Sequence, residues 1–546
     1  MHIFTCLTPL CELLSGHRWT LPLMLATFLA FPCNASADTL MEAEKAQYKN
    51  CRLISDSKYS GGKALELTES NASIAFSFTA DKRAKYKIFV GYDGNYGQKV
   101  VNLSVNGNNG TFSVNGQAES EVGTYIMQAG ANSILITPNW TWFRIDYIRL
   151  VPENSSLKFN ISKSPVDPEA TPAARLVYTF LYENFGKKTI SGIMTGDLMG
   201  SNGSVIRQAD VKAVYQAAGK YPALIGFDFM NATGSYENDS WNLEYTRECV
   251  NLAKDTYRRG GIPAFTWHWR DPSRNTNAFY TSGCNMKVSD AMNANGSWNK
   301  NSQLYKYIIH DIDKVADYLL ELQKEDVAVV FRPLHEASGG WFWWGREGAS
   351  SFIKLYRLIY DEMVRVKGVH NVIWVWNAGD KDQQWNPGVQ YYDVVSADIY
   401  NPDFDYSSNY VSFDHLKTLT AGRKIIALSE NGPIPDIDKE KEDEAMWSWW
   451  MPWYQTWNGN FVDKTSKAEW RKCMSHELVV TLDEMNDGWF STYDVNLDGQ
   501  VDISDIVAII NTIAGDTTFT QTANVNDDDN IDISDIVAVV NYIASL

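Results

Sequence analysis

VAVVFRPLHE (residues 327–336) and KIIALSE (residues 424–430) are apolar runs that each end on a glutamate, and they decide how this 546-residue chain is read. A short, continuous apolar run between polar flanks is a strand buried on both faces, as in a parallel sheet. Runs of the same kind occur at TISGIMTGD (189–197), YPALIGFDFM (221–230), GIPAFTWHWR (261–270), NVIWVWNAGD (371–380), VVSADIYNP (394–402) and AMWSWWMPW (445–453). Helix-like stretches separate many of them, among them 241–259, 305–323 and 351–366. The fold class is therefore α/β, and eight strands alternating with helices point to a (β/α)₈ barrel. A doubly wound open sheet is the alternative, but no Gly-rich phosphate loop follows the first strand. Polar and aromatic residues gather at the C-terminal ends of the runs, which is the catalytic face of such a barrel.

Glu336 is followed by the aromatic patch Trp341, Phe342, Trp343 and Trp344, and Glu430 by Asn431 and Gly432. Paired carboxyl groups beside flat rings suit cleavage of a glycosidic bond: one acid protonates the leaving oxygen, the other attacks the anomeric carbon, and rings stack on sugar faces. Arg332 shares a strand end with His335 and Glu336. His335 and Glu336, being consecutive, point apart unless the strand is ending. Trp 20, Tyr 28 and Phe 23 are high counts, which a large aromatic core would also explain. The formal charge of −18 argues against nucleic acid and anionic membranes as partners, since phosphate binding needs a basic face. A neutral polysaccharide suits an acidic protein.

Outward from the barrel, residues 1–37 read as a secretory signal peptide, with a charged flank (His17, Arg18), the apolar run 21–31 and Ala35-Ser36-Ala37 before the cut. The run is too short to span a bilayer. Cleavage leaves Cys51, Cys249, Cys284 and Cys473, too few and scattered for a disulfide framework. Residues 38–153 alternate in short runs such as SIAFSFTA and YKIFVGYD, broken by Gly/Asn turns, and read as all-β. In that domain Trp140 and Trp142 are predicted to alternate on one strand and offer a stacking platform. Residues 154–170 are polar and proline-containing, as a linker should be, and the barrel is expected over 171–485. Residues 486–546 hold a duplication, VDISDIVAIIN (501–511) and IDISDIVAVVN (531–541). Before the first copy, Asp494, Asn496, Asp498, Gln500 (by its carbonyl), Asp502 and Asp505 fall on the positions of a calcium loop, with Gly499 at the turn. The second copy offers Asn524, Asn526, Asp528, Asn530, Asp532 and Asp535, with Asp529 in place of the glycine. An apolar helix follows each loop, over 506–513 and 536–543, so this segment reads as a small α-helical calcium-loop repeat.

FRPLHEASGGWFWWG and LSENG resemble the strand-four and strand-seven motifs of glycoside hydrolase family 26, a family of β-mannanases, over about residues 171–485. The resemblance implies a retaining double displacement, with Glu336 as acid/base and Glu430 as nucleophile. It further implies that Arg332 holds Glu430 ionised, since a nearby guanidinium favours the carboxylate, that His335 and Trp341 line the sugar site, and that Tyr400 donates to Glu430. His268 would contact the neighbouring sugar, and Trp453 would form the floor, although Trp447, Trp449 and Trp450 compete for that place. MEAEKAQ and NWTWFRIDYIRLVP resemble the two ends of family 35 carbohydrate-binding modules, which implies a β-sandwich and a structural calcium on Glu42, Glu44 and Asp146. The duplicated loop-helix unit resembles a type I dockerin, which implies a cohesin-bearing scaffold as partner and extracellular, scaffold- or surface-attached work. Endo-β-1,4-mannanase is the leading implication. Mannobiose-releasing exo action, a mixed-linkage β-glucanase or β-1,3-xylanase, and a non-catalytic glycan-binding protein are the alternatives.

Overall fold

The computed structural model describes residues 38–153, 157–379, 382–455, 461–485, 493–496, 501–516, 518–519, 522–526, 528 and 530–545. The predicted signal peptide lies outside these residues, as do Asp498 and Gln500. Two compact units divide the chain near Pro152.

In the second unit eight parallel strands close on themselves: β1 (Thr189–Met194), β2 (Leu224–Asp228), β3 (Ile262–Trp267), β4 (Val329–Pro333), β5 (Val372–Asn377), β6 (Val394–Ile399), β7 (Ile425–Asn431) and β8 (Trp449–Pro452). β1 pairs with both β2 and β8, which seals the barrel. Nearly every strand residue is buried, as expected where helices cover the outside and side chains fill the inside. A Cβ on Gly226 would lie 2.6 Å from the sulfur of Met194 and 2.7 Å from that of Met451. The barrel interior is therefore filled by methionines that only a glycine at this position admits. Helices start where the sequence offers caps: Asp239 accepts the N–H groups of Trp241 and Asn242 at the head of Ser240–Arg258, and Ser302 that of Tyr305 at the head of Gln303–Gln323. The stretch predicted as one helix over 351–366 is an α-helix, Ala349–Tyr360, running into a π-helical turn, Asp361–Val366.

The predicted linker needs correction. Within it, residues 157–170 are fastened to the barrel: Val166 N–H donates to Asp393 at 2.7 Å, His370 Nδ1 lies 2.8 Å from Asp167, and Phe159 meets the ring of Phe185 at 4.9 Å. A few anchors in a polar stretch suffice to order it, and composition does not reveal them.

The N-terminal unit is an antiparallel sheet of nine strands. Its long strand Ala84–Val105 pairs through residues 86–93 with Phe143–Pro152 and through residues 101–105 with Gly130–Pro138. One strand thus serves both halves of the sheet, around buried Ile74, Phe76, Ile88, Val90, Ile136 and Ile148.

The C-terminal repeat forms two helices, Ile503–Ile513 and Ile533–Ser545, each beginning three residues before the predicted start. Asp502 accounts for the earlier start of the first, capping it by accepting from Ser504 N–H at 2.7 Å. Buried Val495, Ala508, Ile509, Ala523, Val525 and Val539 form its small core.

Candidate active site

β4 ends at Pro333, and the chain leaves it through two residues in left-handed backbone, Leu334 (φ 54°) and Glu336 (φ 51°). Such a conformation costs about 1–3 kcal/mol per non-glycine residue and persists only where the surroundings enforce it. Asn377, the last residue of β5, does so by accepting the Glu336 N–H at 2.7 Å. Buried Trp344 donates its Nε1–H to His335 O at 2.8 Å. The irregular exit turns two consecutive residues, His335 and Glu336, into one site.

Glu430, on β7, is 4% exposed. Arg332 reaches across from β4, donating through Nη2 to Glu430 Oε1 and through Nη1 to Asp398 Oδ2 at 2.8 Å. Tyr400 donates its hydroxyl to Glu430 Oε2 at 2.5 Å, and Ser429 Oγ donates to Asp398 Oδ1 at 2.7 Å. A register shift between Ala397 and Asp398 sets Asp398 opposite Glu430. One carboxylate oxygen each of Glu336, Asp398 and Glu430 lies within 4.8 Å of the other two.

Three acids around one guanidinium cannot all ionise cheaply out of water. Burial, followed by the charge of Asp398, pushes Glu336 up to about 7. The same two causes raise Glu430, against the pull of Arg332. The cluster titrates as a unit and retains a proton near neutrality. That proton belongs on Glu336, because Arg332 touches Glu430 and Asp398, whereas among the described residues Glu336 receives only the Nε1–H of Trp341, at 2.8 Å.

His268 follows β3, and its ring Nδ1 and backbone N–H both meet Asp228, at 2.6 and 3.0 Å. Its Nε2 lies 3.2 Å from His335 Nε2. Burial, then the neighbouring His268, drives the His335 pKa well down, so this ring is neutral. Asp228 fixes the His268 ring through Nδ1, and the two histidines share one hydrogen bond between their Nε2 atoms. Trp341 is 47% exposed, and Phe342 beneath it is sandwiched between Tyr280 and Trp344 at 5.1 and 4.4 Å. Trp453 is half-buried with its ring 5.9 Å from His268, whereas Trp447, Trp449 and Trp450 are fully buried. The strand-eight register therefore leaves Trp453 at the rim.

Sequence reading missed Asp228, Tyr280, Asn377 and Asp398. Asp228 and Asn377 end apolar strands just as the two glutamates border theirs, so the signal was present. What it lacked was the register that aims them at one point.

Trp140 and Trp142 do not alternate on a strand, as predicted. Both sit in the loop between Gly130–Pro138 and Phe143–Pro152, and Trp142 has φ 71°, which no strand tolerates. They are nonetheless 57% and 49% exposed, and Tyr96 braces Trp142 edge-on at 5.6 Å. Glu42, Glu44 and Asp146 gather around Ser60-Gly61, where Ser60 donates to Asp146 at 3.1 Å and to Glu42 at 2.8 Å. Among the described residues, one buried oxygen of each acid has no hydrogen-bond partner. Burial, then Glu42 and Glu44, raises Asp146 to about 6. Orphaned hard oxygens crowded this way fit a calcium ion.

In the repeat, Asp505 accepts the backbone N–H groups of Val495, Asn496 and Asp502, and Asp535 those of Val525, Asn526 and Asp532. Asn524 and Asn526 both turn their side-chain oxygens toward the N–H of Asp528. These are oxygen donors of the type calcium takes, drawn together by the turn.

A closed parallel barrel with an acid and an ion-paired carboxylate at its C-terminal rim is the framework of a glycoside hydrolase. Comparison with known proteins narrows that class. The chain belongs to glycosyl hydrolase family 26, whose family model matches residues 166–484, and residues 39–153 match carbohydrate binding module family 35. It is similar to a mannan endo-1,4-beta-mannosidase of Thermothelomyces thermophilus, 30% identical over 478 residues that span 83% of this chain and 92% of the relative. Among solved structures, the Podospora anserina GH26-CBM35 β-(1,4)-mannanase covers 83% of this chain and 99% of its own, at 27% identity and a TM-score of 0.55. A β-mannanase from a symbiotic protist of the termite Reticulitermes speratus, complexed with gluco-manno-oligosaccharide, covers 60% of this chain and 99% of its own, at 39% identity and TM-score 0.54.

Proposed function

We propose that this chain is a secreted, retaining endo-β-1,4-mannanase. The observation that carries the reading is the asymmetry of the two glutamates: among the described residues Glu430 is held by Arg332 and Tyr400, and Glu336 by an indole N–H alone. Glu430 attacks the anomeric carbon while Glu336 gives its proton to the departing glycosidic oxygen. Glu336, now ionised, takes a proton from the water that releases the sugar from Glu430. One oxygen of Glu336 lies within 4.8 Å of one oxygen of Glu430, which is compatible with the close carboxyl spacing of direct attack. Mannan as substrate rests on the names of the relatives. Reducing-sugar release from galactomannan, glucomannan, lichenan and xylan tests it: both mannans should be cut fastest, and preference for lichenan or xylan would reassign the substrate.

The N-terminal module would bring the barrel to insoluble mannan through Trp140 and Trp142. Replacing Trp142 by glycine removes the ring and relieves its left-handed backbone together. Trp142→Gly should therefore weaken binding to mannan by about 1–3 kcal/mol without lowering the melting temperature. Unchanged retardation in mannan gels would remove the platform role.

Glu42, Glu44 and Asp146 would hold one calcium in this module, and each loop of the repeat another. The repeat would then dock to a cohesin-bearing scaffold outside the cell. No helix among the described residues is long and apolar enough to cross a membrane. Apolar helices this short do not persist alone in water, so the binding free energy of the ion becomes folding free energy. In the full chain, chelation should abolish amide-exchange protection over residues 503–513 and 533–545 and leave the barrel strands protected. Protection that survives chelation would mean a calcium-independent helical pair.

A further inference from the structure

Between β3 and the helix Gln303–Gln323, residues 268–302 fold into a long excursion on the catalytic face. One part of it, Phe279 to Thr281, is clipped to the aromatic patch, with Thr281 N–H donating to Trp341 O at 2.7 Å and Trp343 N–H to Phe279 O at 3.1 Å. Another part lines a second, half-open cavity of about 440 Å³ whose walls include Asn275, Asn285, Asp290, Gln303 and Tyr307. That volume is within the range of small-molecule sites, roughly 300–1,000 Å³. None of its lining residues belongs to the acid cluster or the histidine pair.

The wall chemistry selects among ligands. No basic side chain lines the cavity, so an anion has nothing to bind. Asp271 is in the wall, but both its oxygens are already engaged by Ser273 and Thr276 through four N–H and O–H donors. Only Asp290 remains as a free carboxylate, and one carboxylate is no cage for a cation. The side chains of Asn275, Asn285, Asp290 and Gln303 make no hydrogen bond among the described residues, and all four are exposed. Three amides, each both donor and acceptor, beside one acceptor carboxylate match the adjacent hydroxyls of a sugar, which also donate and accept. Tyr307 adds a ring, fixed from one side by the Arg274 guanidinium at 4.9 Å. Arg274 itself is bound to Asp311 and Glu237 and is not free for a ligand.

We propose that this cavity binds a hexopyranose unit of the polysaccharide away from the bond being cut, holding the chain on the catalytic face between cleavages. The proposal rests on the mannanase reading for the identity of the polymer. The sugar could come from a galactosyl branch or from the mannosyl backbone, and both present the same adjacent hydroxyls.

The test is the double variant Asn285→Ala/Gln303→Ala in the full chain, compared with the parent on galactomannan, on linear mannan and on mannotetraose. Losing two sugar hydrogen bonds should raise KM on polysaccharide about 5- to 30-fold and leave kcat on mannotetraose unchanged. Retardation in gels of the same two polysaccharides, measured in a Trp142→Gly background, gives a readout independent of turnover. Loss confined to galactomannan assigns the branch, and loss on linear mannan assigns the backbone. Equal KM and equal retardation of variant and parent on both polymers overturn the proposal. Should the parent cut no mannan at all, the mannanase reading fails, and the gels still decide whether the cavity holds sugar.

Discussion

Glu430→Ala should lower kcat on mannan by on the order of 10⁴-fold or more, with melting temperature little changed. The carboxylate is placed by Arg332 and Tyr400 on opposite oxygens, so its lone pair direction is set before substrate arrives. Alanine removes the group assigned to form the glycosyl ester, and water in its place lacks both charge and position. It also removes one acid from a crowded cluster, so the fold loses a buried ion pair and is relieved of a buried charge. Residual activity within 100-fold of wild type would mean that another carboxylate attacks, and Asp398, bound to the same arginine, is the one so placed.

Glu336→Ala should divide substrates by leaving group. On mannan, whose departing sugar hydroxyl is a poor leaving group, general acid catalysis contributes about 10²–10⁴-fold, and that factor should vanish. Aryl mannosides with acidic phenols leave without help, so their first step should be nearly spared. The second step still lacks its base, and the glycosyl enzyme should accumulate. Azide needs no base and should restore turnover, giving a mannosyl azide. The pH profile carries the same assignment. An acid must be protonated to work, so wild-type kcat/KM should fall as pH rises through the proton held near 7 at Glu336. The acid limb should report a second proton entering the cluster on Glu430. Glu336→Ala should erase the alkaline limb and keep the acid one; equal loss on both substrate types would take the acid role from Glu336.

The barrel was legible because parallel strands buried on both faces are apolar without interruption, as in VAVVF and IIAL. The two glutamates stood out for the same reason, as charges at the border of such runs. Asp398 lies inside a run, and only the register shift after Ala397 brings it opposite Glu430. That shift leaves no mark on composition. Asn377 and Asp228 act through a backbone N–H and a neighbouring ring, contacts between strands that no single strand reveals. Trp140 and Trp142 misled because i, i+2 spacing is equally that of a strand and of a loop with one left-handed residue. Residues 157–170 misled because three or four anchors outweigh a polar majority.

The central claim is that Glu430 attacks sugar carbon directly and Glu336 serves both half-reactions. Proton NMR of the reducing end released from mannopentaose, read before mutarotation, tests it most directly. Two inversions predict that the β anomer appears first and decays toward the equilibrium mixture. First appearance of the α anomer would mean a single displacement by water, and the nucleophile assigned to Glu430 would be wrong.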